Sequence, residues 1–274
     1  MVVRVPATSA NLGPGFDSMG LALSMHADVG VVGDEAMPED AHEAEDGHPA
    51  QVAFVRAGGT GRVWVRNVIP MGRGLGFSGA VRVGGIVAAE VQRSGGRWIR
   101  EESRALEIGT LLEGHADNVA PSLHGGVVIA SEGRVVPVPL AIDASFVVWI
   151  PSFTTSTNES RRLIGATLPL DVAVFNIAHS AMLATAFATG DPGLLKEATR
   201  DRIHQDLRFE VAPLSRAALE AGVDAGAWCG WLSGSGPTVA MMCDPLVAAR
   251  VVAALPSEGH AKILSLDTRG TYLV

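Results

Sequence analysis

The chain has 274 residues, of which 47% are hydrophobic and 18% charged, and its mean hydropathy is +0.27. This balance excludes a disordered or fibrous protein, and the length allows one large domain or two modest ones. The 21 basic and 29 acidic residues give a formal net charge of −8 without a basic block, so we expect no nucleic-acid partner. Glycine is in excess, since 32 of 274 residues is roughly 12% against an average of about 7%. Such an excess indicates backbone turns that approach something closely.

The cysteines and the apolar stretches of the sequence indicate the expected cellular location of the protein. Cys229 and Cys243 form neither a CxxC pair nor a set with spaced histidines, which argues against a zinc site or a disulfide framework. The first residues lack a basic segment followed by an apolar core, so no signal peptide is apparent. The most apolar stretch, residues 172–189, contains Asn176, His179 and Ser180 and falls short of a continuous membrane span. We therefore expect a cytoplasmic protein with no membrane partner.

Short β-branched runs alternate with small-residue helical patterns, which predicts a mixed α/β protein. In the first half, strands are predicted at residues 2–7, 22–32 and 62–69, helices at 79–93 and 101–113, and a strand pair at 125–130 and 134–139. The acidic stretch 34–47 is predicted to be a solvated loop.

The second half begins with a predicted strand at 145–150 and a Ser/Thr-rich segment, 152–160, expected to be a domain junction or a mobile loop. Helices are then predicted at 170–189 and 194–208, strands at 227–232 and 238–243, and a helix at 245–255 before a final strand. His179 and His204 are predicted to be packed, hydrogen-bonded histidines, and Trp228 and Trp231 to be core residues.

The central motif is PMGRGLGFSGA at residues 70–80, between a predicted strand and a predicted helix. Its four glycines allow successive backbone N–H groups to converge, and the helix N-terminus adds a positive dipole, which together favour a phosphate group. The motif is neither a Walker loop, because it lacks the Gly-Lys-Ser/Thr ending, nor the GxGxxG of a dinucleotide fold. Taken alone, a tight turn without a ligand is an equally good interpretation.

Three further motifs accompany this loop in order: TSANLGPGFDS at 8–18, EGHADNVAP at 113–121 and LSGSGPT at 232–238. With DRIHQ at 201–205 and Arg208, they resemble the GHMP kinase superfamily, and within it the homoserine kinases, over nearly the whole chain. The resemblance implies an α+β, two-domain GHMP kinase fold. Residues 1–150 would form a ribosomal-protein-S5-domain-2-like nucleotide-binding domain, and residues 151–274 a ferredoxin-like α/β sandwich.

The same resemblance implies an enzyme that uses ATP and Mg²⁺ to phosphorylate the side-chain hydroxyl of L-homoserine, giving O-phospho-L-homoserine on the route to threonine. A homodimer is a reasonable default for such an enzyme. The nucleotide phosphates would contact Pro70, Gly72, Arg73, Gly74, Leu75, Gly76, Phe77, Ser78, Gly79 and Ala80. Ser78 and Glu107 match magnesium-binding positions, and a hydroxyl with one carboxylate suits an ion that keeps several waters.

The amino-acid substrate is expected at Asn11, Asp17, His115, Asn118, Arg161, Arg208 and Gly234. An aspartate can hold an α-ammonium group, and an arginine can bind a carboxylate through two hydrogen bonds. Asn118, Asp117 and Arg161 are implied as catalytic. Asp117 stands where some relatives have a catalytic base, although positioning and charge stabilisation can suffice.

Each assignment has a structural alternative. Asp17 could end a turn, Glu107 could be a solvated helix residue, and Arg208 could be a charge at a helix C-terminus. The loop also departs from the usual GLGSSAA of homoserine kinases, because Phe77 replaces a hydroxyl and Gly79 an alanine. Two other functions therefore stay open: a kinase of another small hydroxylated metabolite, or a non-catalytic ligand-binding relative.

Overall fold

Two antiparallel sheets organise the protein in a computed structural model that describes residues 1–34, 36–154 and 161–274. The strands are β1 (Val3–Ala10), β2 (Met19–Val31), β3 (His42–Glu43), β4 (Val63–Asn67), β5 (Val127–Ser131), β6 (Arg134–Val138), β7 (Ser145–Pro151), β8 (Cys229–Leu232), β9 (Val239–Cys243), β10 (Gly259–Leu264) and β11 (Tyr272–Leu273). The first sheet has the order β11-β1-β2-β4-β3, with β5 pairing with both β2 and β6. The second has the order β10-β7-β9-β8.

The helices cover these sheets. They are α1 (Pro49–Arg56), α2 (Phe77–Arg93), α3 (Ala105–Glu113), α4 (Val119–His124), α5 (Leu170–Thr189), α6 (Leu195–Ala198), α7 (Gln205–Glu210), α8 (Pro213–Asp224) and α9 (Ala248–Ala254). Short 3-10 turns lie at Arg100–Glu102, Pro192–Leu194 and Pro245–Val247.

Helix α2 is the centre of the first layer and packs on β1, β2, α1, α3 and α4. Two of its residues, Gly84 and Gly85, make this approach possible. A Cβ on Gly84 would lie 2.6 Å from Cγ2 of Val29 on β2, and one on Gly85 would overlap the carbonyl oxygen of Ala50 on α1. Part of the glycine excess therefore serves helix packing rather than ligand binding.

The second sheet has its own apolar core, which includes Trp149 on β7 and Met241 on β9, with α8 and α9 packed against it. The sheets do not divide the chain at one point. Strand β7 spans residue 150, and the last strand, β11, returns to pair with β1 in the first sheet.

The predicted α/β alternation is confirmed, but the predicted helix at 194–208 is wrong. The chain forms α6 and α7 with a break between them, because the carboxylate of Asp201 accepts the backbone N–H groups of Ile203, His204 and Gln205 at 2.7–3.0 Å. These bonds start a new helix, as an N-terminal cap does. The predictions also missed α1, α4 and α8, while the helix predicted from residue 101 begins only at Ala105.

Other local expectations are confirmed within the described residues. Trp231 is buried and donates to Oγ of Ser9, and His204 is buried with Nε2 2.9 Å from the Gly13 carbonyl oxygen. The acidic stretch is mostly irregular apart from β3. Residues 155–160 of the Ser/Thr-rich segment lie outside the described residues.

By length and composition, α5 is apolar enough to cross a membrane, with a mean hydropathy of 1.5 over a window that is 28% buried, contrary to the expectation from sequence. One such helix is weak evidence for a membrane span, because core helices of soluble proteins can have the same length and apolar composition. Its Asn176 donates to the carbonyl oxygen of Pro14 at 3.0 Å and to Asp201 at 2.6 Å. These buried polar contacts fix one face of α5 on the rest of the protein.

Candidate active site

A cavity of about 330 Å³ lies where the glycine-rich loop, the α3–α4 junction and the loops after β1 and β8 meet. The predicted residues that line it are Asn11, Asp17, Pro70, Gly72, Arg73, Gly74, Leu75, Gly76, Phe77, Ser78, Gly79, His115, Asp117, Asn118, Arg161, Arg208 and Gly234. Ala80 and Glu107 are not among the lining residues, and Ala80 is fully buried. The fold thus brings four distant motifs to one space.

The glycine-rich loop is fixed between β1 and the loop after β8. Gly74 and Gly76 have φ angles of +76° and +66°. A Cβ on Gly74 would overlap the carbonyl oxygen of Ser233, and one on Gly76 would overlap Oγ1 of Thr8. Ser233 also donates its hydroxyl to the carbonyl oxygen of Gly74 at 2.6 Å. Glycine is required at both positions by conformation and by space.

Helix α2 begins at this loop with an open N-terminus. Its cap residue is Gly76, which has no side chain to accept the first N–H groups. The residues of its first turn, 77–79, line the cavity. Unpaired N–H groups and the positive end of the helix dipole therefore favour an anion here.

The two unusual residues of the loop have structural explanations. The ring of Phe77 lies edge-on to the ring of His48, with centroids 5.9 Å apart, and so packs the start of α2 against the start of α1. Gly79 lies against α4, where a Cβ would come within 3.1 Å of Cβ of Asn118. The missing methyl group lets Asn118 approach α2 closely.

Three polar side chains cluster beside the loop. Ser78 donates its hydroxyl to Oε1 of Glu113 at 2.6 Å, and Nε of Arg82 donates to the same oxygen at 2.5 Å and to Oγ of Ser78 at 3.2 Å. All three residues line the cavity. Arg82 follows Ser78 by four residues on α2, a spacing that places both on one helix face. The four-residue spacing from Ser78 therefore indicates in the sequence that Arg82 lies beside the loop, although Arg82 is not among the residues predicted for the site.

The structure does not place Glu107, the carboxylate of the expected metal pair, in the lining of the cavity. Its side chain is 68% exposed and forms an ion pair with Arg104, whereas the side chain of Glu113 is only 14% exposed. Both glutamates lie on α3, but six residues separate them. The carboxylate that lies with Ser78 is that of Glu113, the first residue of the EGHADNVAP motif.

Elsewhere in the cavity lining, Asp17 and Arg161 form a bidentate ion pair, with both N–O distances 2.8 Å. Asp17 adopts a left-handed conformation, φ +55°, and its N–H donates to Oδ1 of Asn11 at 3.0 Å. Asn11 in turn donates to the carbonyl oxygen of Gly234 at 2.9 Å. Non-glycine residues with positive φ are uncommon, and they cluster at functional sites.

Arg208 is buried and donates to the carbonyl oxygen of Gly234 and to Nδ1 of His204, both at 3.0 Å. Burial lowers the pKa of Arg208 to about 10. Its Nε is buried without a hydrogen-bond partner in the described part of the chain. An unpartnered cationic donor in a cavity suits an anionic ligand group.

His115 and Asp117 form a close pair through Nδ1 and Oδ1, and this hydrogen bond raises the pKa of His115 above its usual range. Asn118 donates to Asp117 at 3.4 Å and accepts from the Thr8 hydroxyl at 2.7 Å. One ligand atom from each of Asp17, His115 and Asp117 lies within 4.8 Å of the others. The part of the cavity around Asp17 thus combines carboxylates, arginines and a histidine with a raised pKa.

Comparison with known proteins places the chain in a family. Residues 41–126 match the GHMP kinases N terminal domain, and residues 183–261 match GHMP kinases C terminal. A homoserine kinase from Nostoc punctiforme is 35% identical over 297 residues, which cover 98% of this chain and 97% of that protein. The chain belongs to the homoserine kinase family.

A second homoserine kinase, from Streptomyces avermitilis, is 38% identical over 289 residues, covering 98% of this chain and 93% of the relative. The crystal structure of a homoserine kinase from Cytophaga hutchinsonii superposes with a TM-score of 0.85 at 24% identity, covering 100% of this chain and 97% of that chain. The family and the GHMP kinase fold expected from the motifs are confirmed. In this chain, the cavity described above is lined by residues of both matched GHMP kinase segments.

Proposed function

We propose that this protein transfers the γ-phosphoryl group of ATP to the side-chain hydroxyl of L-homoserine. The observation that carries the proposal is that one cavity is lined both by the glycine-rich loop at the start of α2 and by the charged residues Asp17, Arg161 and Arg208. In the reaction, the hydroxyl oxygen forms a bond to the γ-phosphorus, the bond to the β–γ bridging oxygen breaks, and ADP leaves. The hydroxyl proton is released to water, so that homoserine and ATP give O-phosphohomoserine, ADP and one proton.

The phosphate end would be the loop at residues 72–79. Its N–H groups and the N-terminus of α2 hold the triphosphate, and the glycines let the backbone approach the phosphates without interference from side chains. Because phosphoryl transfer is mainly positioning and charge stabilisation, this cradle supplies much of what the reaction needs.

Mg²⁺ fits the pair Ser78 and Glu113. Both offer oxygen ligands, their oxygens lie 2.6 Å apart, and no described residue donates to Oε2 of Glu113. A hydroxyl and a carboxylate, with waters and phosphate oxygens, are the donors this ion prefers. When bound, the ion would offset negative charge on the phosphates.

The amino-acid end would recognise the backbone groups of homoserine by charge. Asp17 suits the α-ammonium group, and the guanidinium of Arg208, which lines the cavity, suits the carboxylate. Asn11 and Gly234 hold Asp17 and Arg208 in place. With both backbone groups bound, the side chain of homoserine extends towards the loop.

Asn118, Asp117 and Arg161 would act on the transferring group by position and charge. Asn118 lies between the amino-acid end and Gly79 of the loop. Asp117 is buried and engaged by His115, so His115–Asp117 would orient the substrate hydroxyl rather than Asp117 acting alone as a base. Arg161 adds positive charge at this end.

The test is coupled ADP release from purified protein with MgATP. We expect ADP formation that depends on L-homoserine, with a phosphomonoester product visible by ³¹P NMR. A panel of threonine, serine and other small alcohols separates homoserine from another hydroxylated metabolite. Folded protein that binds ATP and homoserine but releases no homoserine-dependent ADP would refute the proposal and support a non-catalytic relative.

We also propose a cytoplasmic homodimer that pairs through α5. The exposed face of this helix carries large apolar residues in its first half and alanines in its second. These are Leu170, Val174 and Ile177, then Ala181 and Ala188, with the partly buried Ala184 between them. In an antiparallel pair, large residues of one copy would face small residues of the other. Light scattering should report a dimer that Ile177→Glu dissociates and that the control Leu246→Glu, at a still more exposed residue outside α5, leaves intact. A monomeric wild type would refute it.

A further inference from the structure

Arg82 lines the phosphate end of the cavity and has no role in the function proposed above. Its side chain is 19% exposed, and both of its hydrogen bonds, to Glu113 and Ser78, are made by Nε. The two terminal nitrogens of its guanidinium make no hydrogen bond to any described residue. Four N–H donors are therefore available beside the loop.

The other arginines that line the cavity are committed elsewhere. All three nitrogens of the Arg73 guanidinium donate to backbone carbonyls, of Pro151, Ser152 and Met71. Arg161 uses both terminal nitrogens on Asp17. Arg208 lies buried at the amino-acid end. Among the lining residues, Arg82 is thus the cation next to the loop whose terminal donors have no described protein partner.

The loop itself creates a need for such a cation. Phe77 supplies a ring packed on His48 where a hydroxyl donor is usual, and the two lysines of the chain, Lys196 and Lys262, are not among the residues that line the cavity. A triphosphate carries several negative charges, and phosphoryl transfer spreads charge over the oxygens of the moving group. A planar guanidinium is well suited to contact two such oxygens at once.

We propose that Arg82 contacts the γ-phosphate of ATP and stabilises the transferring phosphoryl group, with Glu113 fixing its Nε and leaving the terminal nitrogens to the phosphate. The proposal rests on the phosphoryl transfer proposed above. Arg82 would supply the donors that Phe77 lacks, which explains how a homoserine kinase family member with an altered loop retains a complete phosphate site.

Calorimetry separates this role from a structural one. We expect Arg82→Gln to bind a non-hydrolysable ATP analogue at least 10-fold more weakly than the wild type, without Mg²⁺ as well as with it, and to bind ADP almost unchanged. The matched control is Arg93→Gln on the same helix, whose guanidinium donates to the carbonyl oxygen of Ala57 and does not line the cavity. It should bind both nucleotides as the wild type does.

In steady-state assays, Arg82→Gln should lower kcat about 100-fold, the usual effect of removing one donor to a developing anion, without changing the homoserine KM. Arg82→Lys should retain part of the activity, and added guanidinium should partly restore Arg82→Ala. Thermal unfolding identifies variants that fail to fold. If Arg82→Gln does not fold, Arg82→Lys is compared with the wild type instead.

Equal losses for ADP and the ATP analogue, or wild-type affinity for the analogue and wild-type kcat, would overturn the role of Arg82. Failure of the underlying function gives a different result. A wild type that releases no homoserine-dependent ADP would refute the kinase reaction, while the analogue-against-ADP comparison would still report whether Arg82 contacts the γ-phosphate.

Discussion

A paired substitution on α3 decides which glutamate serves the metal. Glu113→Gln removes the negative charge 2.6 Å from the Ser78 hydroxyl while keeping one oxygen and the shape of the side chain. The net worth of an interaction with a charged group is about 1.5 to 3 kcal/mol. Mg²⁺ binding should therefore lose about 2 kcal/mol, roughly 30-fold in the Mg²⁺ concentration required.

Glu107→Gln is the matched control, because it makes the same chemical change on the same helix at an exposed residue paired only with Arg104. It should leave Mg²⁺ activation within about twofold of the wild type, since exposed ion pairs contribute little. The assay is the initial rate against total Mg²⁺ at fixed ATP and homoserine, with thermal unfolding to verify folding. Equal effects of the two substitutions, or a larger one at Glu107, would refute the reasoning from burial and proximity.

Three further predictions concern the amino-acid end and the loop. Arg208→Ala should raise the homoserine KM about 10- to 100-fold, the worth of a charged hydrogen bond, with the ATP KM unchanged; an unchanged homoserine KM would remove the proposed carboxylate contact. His115 has a raised pKa, so its stabilising contribution is complete below about pH 6.5 and is lost as pH rises through the higher folded-state pKa. His115→Gln should therefore lower the free energy of unfolding more at pH 6 than at pH 9, and a loss independent of pH would contradict this. Gly74→Ala should weaken ATP binding and cost more stability than Gly133→Ala, because both glycines have φ +76° but only the Cβ at Gly74 meets protein atoms; equal losses in chemical denaturation would show that backbone strain alone matters.

Motifs that are local in sequence predicted much of the site. The glycine-rich loop, the Asp17 turn and the EGHADNVAP segment all line the cavity. Each is a short segment whose residue types can be recognised in the sequence, although it is the fold that brings them together. Elements that depend on distant partners were harder to predict. The break between α6 and α7 depends on the Asp201 side chain, which Asn176 of α5 helps to hold.

The choice between Glu107 and Glu113 shows most clearly what sequence patterns cannot predict, namely which of two helix residues faces Ser78. Helical periodicity describes α3 without saying how far the helix is rotated against α2, and that rotation places one carboxylate in water and the other beside Ser78. The same contact surface brings Arg82 to the loop. A pattern of residue types does not determine the rotation of α3 against α2, because that rotation depends on how the side chains of both helices pack.

The sequence by itself determined the family, the strand and the helix on either side of the glycine-rich loop, and the residue types in the motifs that line the cavity. Local conformation and side-chain chemistry suffice for these. Only the tertiary structure decided which carboxylate meets Ser78, that Phe77 packs on His48, and that Arg82 keeps its terminal donors at the phosphate end. Those outcomes depend on distances between elements far apart in the chain, which are fixed when the core packs.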